Sequence, residues 1–303
     1  MTESETGLKL WRFSVGMAAK LAGGMVGVST TTMTANPFLG TAIGMALAHT
    51  LERVGTEVVD RRLAPRQNAR VGRAIVVACI KLKEHQDRGR NPRNDGFFDE
   101  DSGGRSSADE VTEAMLLAAM NSAQEQKVDF IAALLANIAV NPSIDVSTAH
   151  LLIELANTLS YRVFAVMRIA GDIDAFRFET RTRPGKGLSE APTAFHPLMV
   201  EIFGLSRRGI IELKDSADSA DTYAVLGFDE IDPAKMRLST VGQLLHDNLE
   251  LSGLDTGSAM YLQTVEQLHR LSRSGGGSIG AGRGPLLNGG AGIGPGASSA
   301  SAH

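Results

Sequence analysis

The residues best placed to do chemistry are acidic. In the stretch DEDSGGRSSADE, residues 99–110, Asp99 and Asp101 take the first and third places, Gly104 the sixth and Glu110 the last. That spacing is the outline of a calcium loop. Gly103, however, sits at the fifth, ligand-bearing place, and Ser106 sits where an apolar residue is usual. No helix runs directly into Asp99, so the simpler reading is a capping box, Ser107-x-x-Glu110, starting the next helix. A weaker possibility gathers Asp95, Asp99, Asp101 and Glu110 around a divalent metal; stabilisation on adding metal would be its signature. The seven histidines, His49, His85, His150, His196, His246, His269 and His303, are scattered without metal-ligand spacing and read as solvated or satisfied side chains. The single cysteine, Cys79, stands in an apolar helical run, excludes an internal disulfide and reads as a small buried hydrophobe. H-E-x-x-H, paired cysteines, G-x-S-x-G and the phosphate loop G-x-x-x-x-G-K-[ST] are all missing from the sequence. The expectation is therefore no catalytic residue, no cofactor and no metal, in a protein that is not an enzyme.

Composition frames this. The 303 residues carry 34 acidic and 30 basic side chains, a net charge of −4, with 43% hydrophobic and 21% charged residues. Those are globular proportions. A slightly acidic chain has no general attraction for nucleic acid, so nucleic acid is an unlikely partner. The N-terminus is no clean signal peptide. The expected location is the cytoplasm, or the cytoplasmic side of the inner membrane.

What stands out is residues 13–51, the stretch poorest in charge and rich in Gly, Ala and Met. Two apolar runs, residues 13–29 and 37–51, flank a polar turn ending in Asn36-Pro37, as in a helical hairpin. Gly40 and Gly44 form G-x-x-x-G with Ala48 one turn on, while Gly16, Gly24 and Gly27 make a looser small-residue face in the first run. Such faces let helices approach closely, so these residues are candidates for helix packing and homo-oligomerisation. Each run is about 15–17 residues, short of the roughly 20 that span a bilayer, and Lys20 and His49 lie inside them. Trp11 and Arg12 on one side and Arg53, Arg61 and Arg62 on the other are placed as interfacial anchors to lipid would be. A conditionally membrane-active hairpin and a hairpin packed in a soluble core or oligomer both remain open.

The elements beyond it follow from periodicity and punctuation. Residues 51–63 continue the second hairpin helix as an amphipathic extension. A basic helix is expected over 66–88, with Arg66, Arg70, Arg73, Lys81 and Lys83 as a solvated flank or, alternatively, a site for phosphate or lipid headgroups. Residues 88–105 read as a loop pinned by Phe97 and Phe98. Helices are expected over 108–126 and 127–141, and a long one over 148–169 capped by Asp145 or Ser147. Further on come a helix over 197–206, a turn at Arg207-Arg208-Gly209, strands at 210–213 and 223–228, a helix over 241–251 capped by Ser239 or Thr240, and a helix over 259–271. The fold class is mainly α: a glycine-rich N-terminal hairpin (1–62), a helical bundle (63–172), a linker (173–191), a small winged-helix-like α+β module (192–271) and a disordered Gly/Ser-rich tail (272–303). Acidic residues around the expected hairpin favour protein over DNA as that module's partner.

The order of these parts resembles the Abi-alpha-like group of bacterial proteins. The likeness is carried by Asp60-Arg61-Arg62-Leu63, the helix around Phe130 to Asn141, Arg208-Gly209-Ile210-Ile211 and Leu238-Ser239-Thr240-Val241-Gly242, over about two thirds of the chain at the level of pattern. It implies a role in abortive infection, in which a host protein kills or arrests a phage-infected cell. The expectation is an oligomerising effector that disrupts or permeabilises the inner membrane through its N-terminal hairpin, restrained by an unidentified regulatory protein or ligand. The alternative is a soluble regulatory or scaffold protein that binds protein or nucleic acid through the winged-helix-like module.

Overall fold

The computed structural model describes residues 42–59, 61, 63–178, 193–213 and 231–273. The first hairpin run with Gly16, Gly24 and Gly27, the anchors Trp11, Arg12 and Arg62, the expected strand at 223–228 and the tail all lie outside the described residues, as does Gly40. Within them the chain is mainly helical, with nine α-helices and a small two-stranded sheet. None of these helices is long and apolar enough to cross a membrane.

The chain enters as α1 (Ala42–Val59), which carries Gly44 and Ala48 and continues without a break into the amphipathic stretch. Leu51, Val54 and Val58 are buried at helical spacing. Helix α2 (Pro65–Asp87) starts with proline at its first position, where the missing N–H costs nothing. The 88–105 segment is a loop fixed by Arg93. Its Nη1 donates to the Ile144 carbonyl at 2.6 Å, its Nε and Nη2 grip Asp95, and its guanidinium lies 4.4 Å from the centre of the Phe97 ring.

Helix α3 (Ser107–Asn121) begins one residue earlier than the sequence pattern implies. Ser106, not Ser107, is the N-cap: its Oγ accepts from the Asp109 N–H at 3.2 Å, and Asp109 Oδ2 accepts from the Ser106 N–H at 2.7 Å. The reciprocal bonds satisfy two donors that a helix start leaves open. The helix ends at Ser122 rather than at residue 126, and α4 (Lys127–Val140) follows. Buried residues run along α4 almost without interruption from Ile131 to Ala139. A helix apolar on every side is a central helix, and α4 packs most extensively against α2 and then α3.

The expected long helix over 148–169 is two helices, α5 (Val146–Thr158) and α6 (Tyr161–Gly171). Leu159 and Ser160 are extended, and Ser160 Oγ accepts from the Val163 N–H at 3.2 Å, so a hydroxyl capable of restarting the helix breaks it. Asp145 caps α5 through the Thr148 N–H at 2.6 Å. Helix α6 is buried at Val163 to Met167, Ile169 and Ala170. It packs on the C-terminal elements, and its Phe164 ring meets Phe130 of α4, with centroids 5.8 Å apart.

After α7 (His196–Arg207), Gly209 turns the chain with φ +65°, a conformation that favours glycine. Strand β1 (Ile211–Leu213) pairs antiparallel with β2 (Met236–Leu238), in the register Ile211 with Leu238 and Leu213 with Met236. The strand at 236–238 is short and falls directly before a helix cap, which is why periodicity misses it. Helix α8 (Thr240–Asn248) is capped by Ser239, and α9 (Ala259–Arg273) closes the described chain.

Candidate functional site

Two polar constellations, each with a buried titratable side chain, tie distant elements of the interior together. The first clamps α1. Arg53 extends from α1 to the start of α3, where Nη1 donates to Glu100 Oε1 at 2.8 Å and to the Gly104 carbonyl at 3.1 Å, and Nη2 meets Asp109 Oδ2. Asp109 is fully buried, and its second oxygen, Oδ1, has no hydrogen-bond partner among the described residues; the same is true of Thr112 Oγ1 one turn along α3. Beyond the end of α1, Arg61 pairs with Glu113, which also receives Arg105 Nη2 at 2.7 Å. The two guanidiniums, Arg105 first, hold the Glu113 carboxyl below its usual range. Of the residues expected at a lipid interface, Arg53 and Arg61 are thus engaged by carboxylates of the body.

The basic flank of α2 is similarly committed. Arg70 pairs with Glu125 at 2.8 Å, and Arg73 forms a bidentate pair with Asp129 at 2.5 and 2.6 Å. The bond from Asp129 raises the pKa of Arg73 further. Cys79 packs against the core on the same helix, and burial pushes its thiol up to about 11.

The second constellation joins α2 and α4 to the turn that follows α8. Lys81 Nζ meets Glu250 Oε2 at 2.8 Å and Glu84 Oε2 at 3.1 Å. The Asn137 amide donates to the Ala133 and Asn248 carbonyls, each at 3.1 Å, and more weakly to Glu250 Oε1 at 3.3 Å. Among the described residues Glu250 is the one non-glycine residue with positive φ, +54°. Such a backbone state costs of order 1–3 kcal/mol and persists only where its surroundings hold it. Beside this cluster His85 is 1% exposed, and neither ring nitrogen has a hydrogen-bond partner among the described residues.

Sequence reasoning read every histidine as solvated or satisfied, and two depart from that. His85 is one; the other is His246, whose Nδ1 lies 2.9 Å from Asp247 Oδ1 while Nε2 is buried without a partner. The only signal for His85 in the sequence is its place on the apolar side of α2, three residues after Leu82. The acids Asp95, Asp99, Asp101 and Glu110 do not converge: Asp95 serves Arg93, and Asp101 Oδ1 accepts the Gly103 and Arg105 N–H groups at 2.7 and 3.3 Å. Among the described residues no group of three or more His, Cys, Asp or Glu is arranged to hold a metal ion.

Two of the segments that carry the family resemblance meet in space. Ser239 N donates to the Ile210 carbonyl at 3.0 Å, Ser239 Oγ donates to the Gly209 carbonyl, and Ile211 is the register partner of Leu238. No protein-family model matches this chain, and neither the curated proteins nor the solved structures contain a match.

Proposed function

We propose that the protein is a bacterial antiphage effector of the abortive-infection kind. A helical body restrains the glycine-rich N-terminal hairpin; on a trigger it oligomerises through Gly40, Gly44 and Ala48 and disrupts or permeabilises the inner membrane. The observation behind this reading is the continuity of α1. One helix runs from Gly44 and Ala48 to a buried anchor, where Arg53 is held on Asp109. Any rearrangement at that anchor is transmitted along the helix to the small-residue face. A regulatory protein or small ligand acting on the body is the expected partner.

The experiment is dye release from anionic-lipid vesicles by the full chain and by the Gly40→Leu/Gly44→Leu variant. Release by the parent after induced oligomerisation, lost in a variant whose helical content is unchanged, supports the proposal. Equal release by both, or no vesicle binding by the parent, overturns it.

A soluble regulatory or scaffold role is the second reading. It is favoured by the engagement of Arg53 and Arg61 with Glu100, Asp109 and Glu113, carboxylates of the body rather than headgroups. Under it the protein stays in the supernatant after lysis.

A further inference from the structure

The joint between α2 and the turn after α8 is built around a conflict. Glu250 keeps a left-handed backbone while its carboxylate is held by Lys81 and Asn137, yet His85 alongside has no partner for either ring nitrogen among the described residues. A neutral imidazole always carries one N–H, so among the described residues a buried donor goes unpaired here. Charging the ring would add a second unpaired donor and a buried charge at the same place.

We propose that this joint is an acid-sensitive coupling between the bundle and the C-terminal elements: protonated His85 competes with Lys81 for Glu250 and frees residues 248–254 from α2 and α4. The charged groups facing His85 are Arg90, Glu250, Arg88 and Glu84, with Lys81 pairing both carboxylates. Three cations against two anions already surround the ring, so an imidazolium would make it four against two. Burial first, then Arg90, lowers the histidine's pKa, while Glu250 opposes them. Among the described residues, Glu250 is the carboxylate facing His85 from the C-terminal side. Drawing it toward His85 breaks the contacts that keep its φ positive, and the turn is then free to relax.

The sign follows. A histidine whose folded pKa is lowered leaves the unfolded chain binding more protons below about pH 6.5, so stability falls as pH drops from there toward the folded value. A general acid effect would weaken the whole molecule; a joint would open locally first.

The test is hydrogen exchange of the full chain at pH 7.5 and 5.5, corrected for intrinsic rates and read at amides 245–254 against those of α4. The expected result is a loss of protection of at least tenfold at 245–254 on acidification, with α4 unchanged, and its disappearance in His85→Phe. Glu250→Gln should lose the protection at both pH values. Should His85→Phe fail to fold, the imidazole is titrated by NMR in the unaltered protein: a ring charging in step with the loss of protection supports the coupling. An unchanged pH response in folded His85→Phe, or a ring still neutral when the turn has opened, overturns it.

Discussion

A β-carbon built on Gly242 would lie 2.0 Å from the carbonyl oxygen of Ile210. The first turn of α8 is therefore pressed onto the chain just before β1 by the Ser239 bonds to Gly209 and Ile210, and no side chain fits between them. The neighbour is backbone and cannot swing aside. Gly242→Ala should lose about 3 kcal/mol, the upper end of overpacking costs, measured by urea denaturation. Gly253, which has nothing within 4 Å of its β-carbon position, should tolerate alanine within about 0.5 kcal/mol, as surface changes usually do.

The α1 clamp distinguishes buried from exposed charge. Arg53→Ala strands the fully buried Asp109 carboxylate, and breaking a buried pair from one side costs about 3–5 kcal/mol. Arg61→Ala removes a solvent-screened partner from Glu113 and should cost at most about 1 kcal/mol. Adding Asp109→Asn to Arg53→Ala should recover much of the loss, since no charge is then left buried. Equal destabilisation by the two single variants in chemical denaturation would refute this ordering.

Lys127 offers a titration. It is 4% exposed, its Nζ donates to the Asn157 carbonyl at 2.8 Å at the end of α5, and burial pushes its pKa down to about 8 from 10.5. Between those values the unfolded chain binds the extra proton, so stability should rise as pH increases from 8 toward 10.5. In Lys127→Met that rise should be smaller. An identical pH dependence in both proteins would mean that the amine titrates normally.

Cys79 should be inert. With its thiol pushed up to about 11, almost no thiolate exists at pH 8. A disulfide reagent should label it at least tenfold faster in denaturant than in the native protein. Rapid native labelling would show that α2 opens locally.

Much of the bundle was legible because its signals are local. Pro65 and Pro142 bracket helices, Asp145 and Ser239 are caps, and the apolar spacing of Leu51, Val54 and Val58 predicts which side of α1 goes inward. What was missed depends on partners distant in sequence or on a choice between neighbouring hydroxyls. Ser106 and Ser107 are equally plausible caps until Asp109 is seen to return the bond. Ser160 carries no glycine or proline to mark a break. Strand β2 exists only because Ile211 lies beside Leu238. The destination of Arg53 and the isolation of His85 are set by elements about 50 and 160 residues away, Asp109 and Glu250, and no spacing within α1 or α2 encodes either.

The placement of α6 bears on synthesis at the ribosome. Phe164 meets Phe130 of α4, whereas most of the helix's packing is against β2, α8 and α9, which emerge later. Until residue 273 has left the exit tunnel, the buried residues of α6 lack the cover those elements supply. A nascent chain stalled soon after residue 172 should therefore present a sticky apolar strip to chaperones, and α6 should complete its packing only when the C-terminal helices arrive.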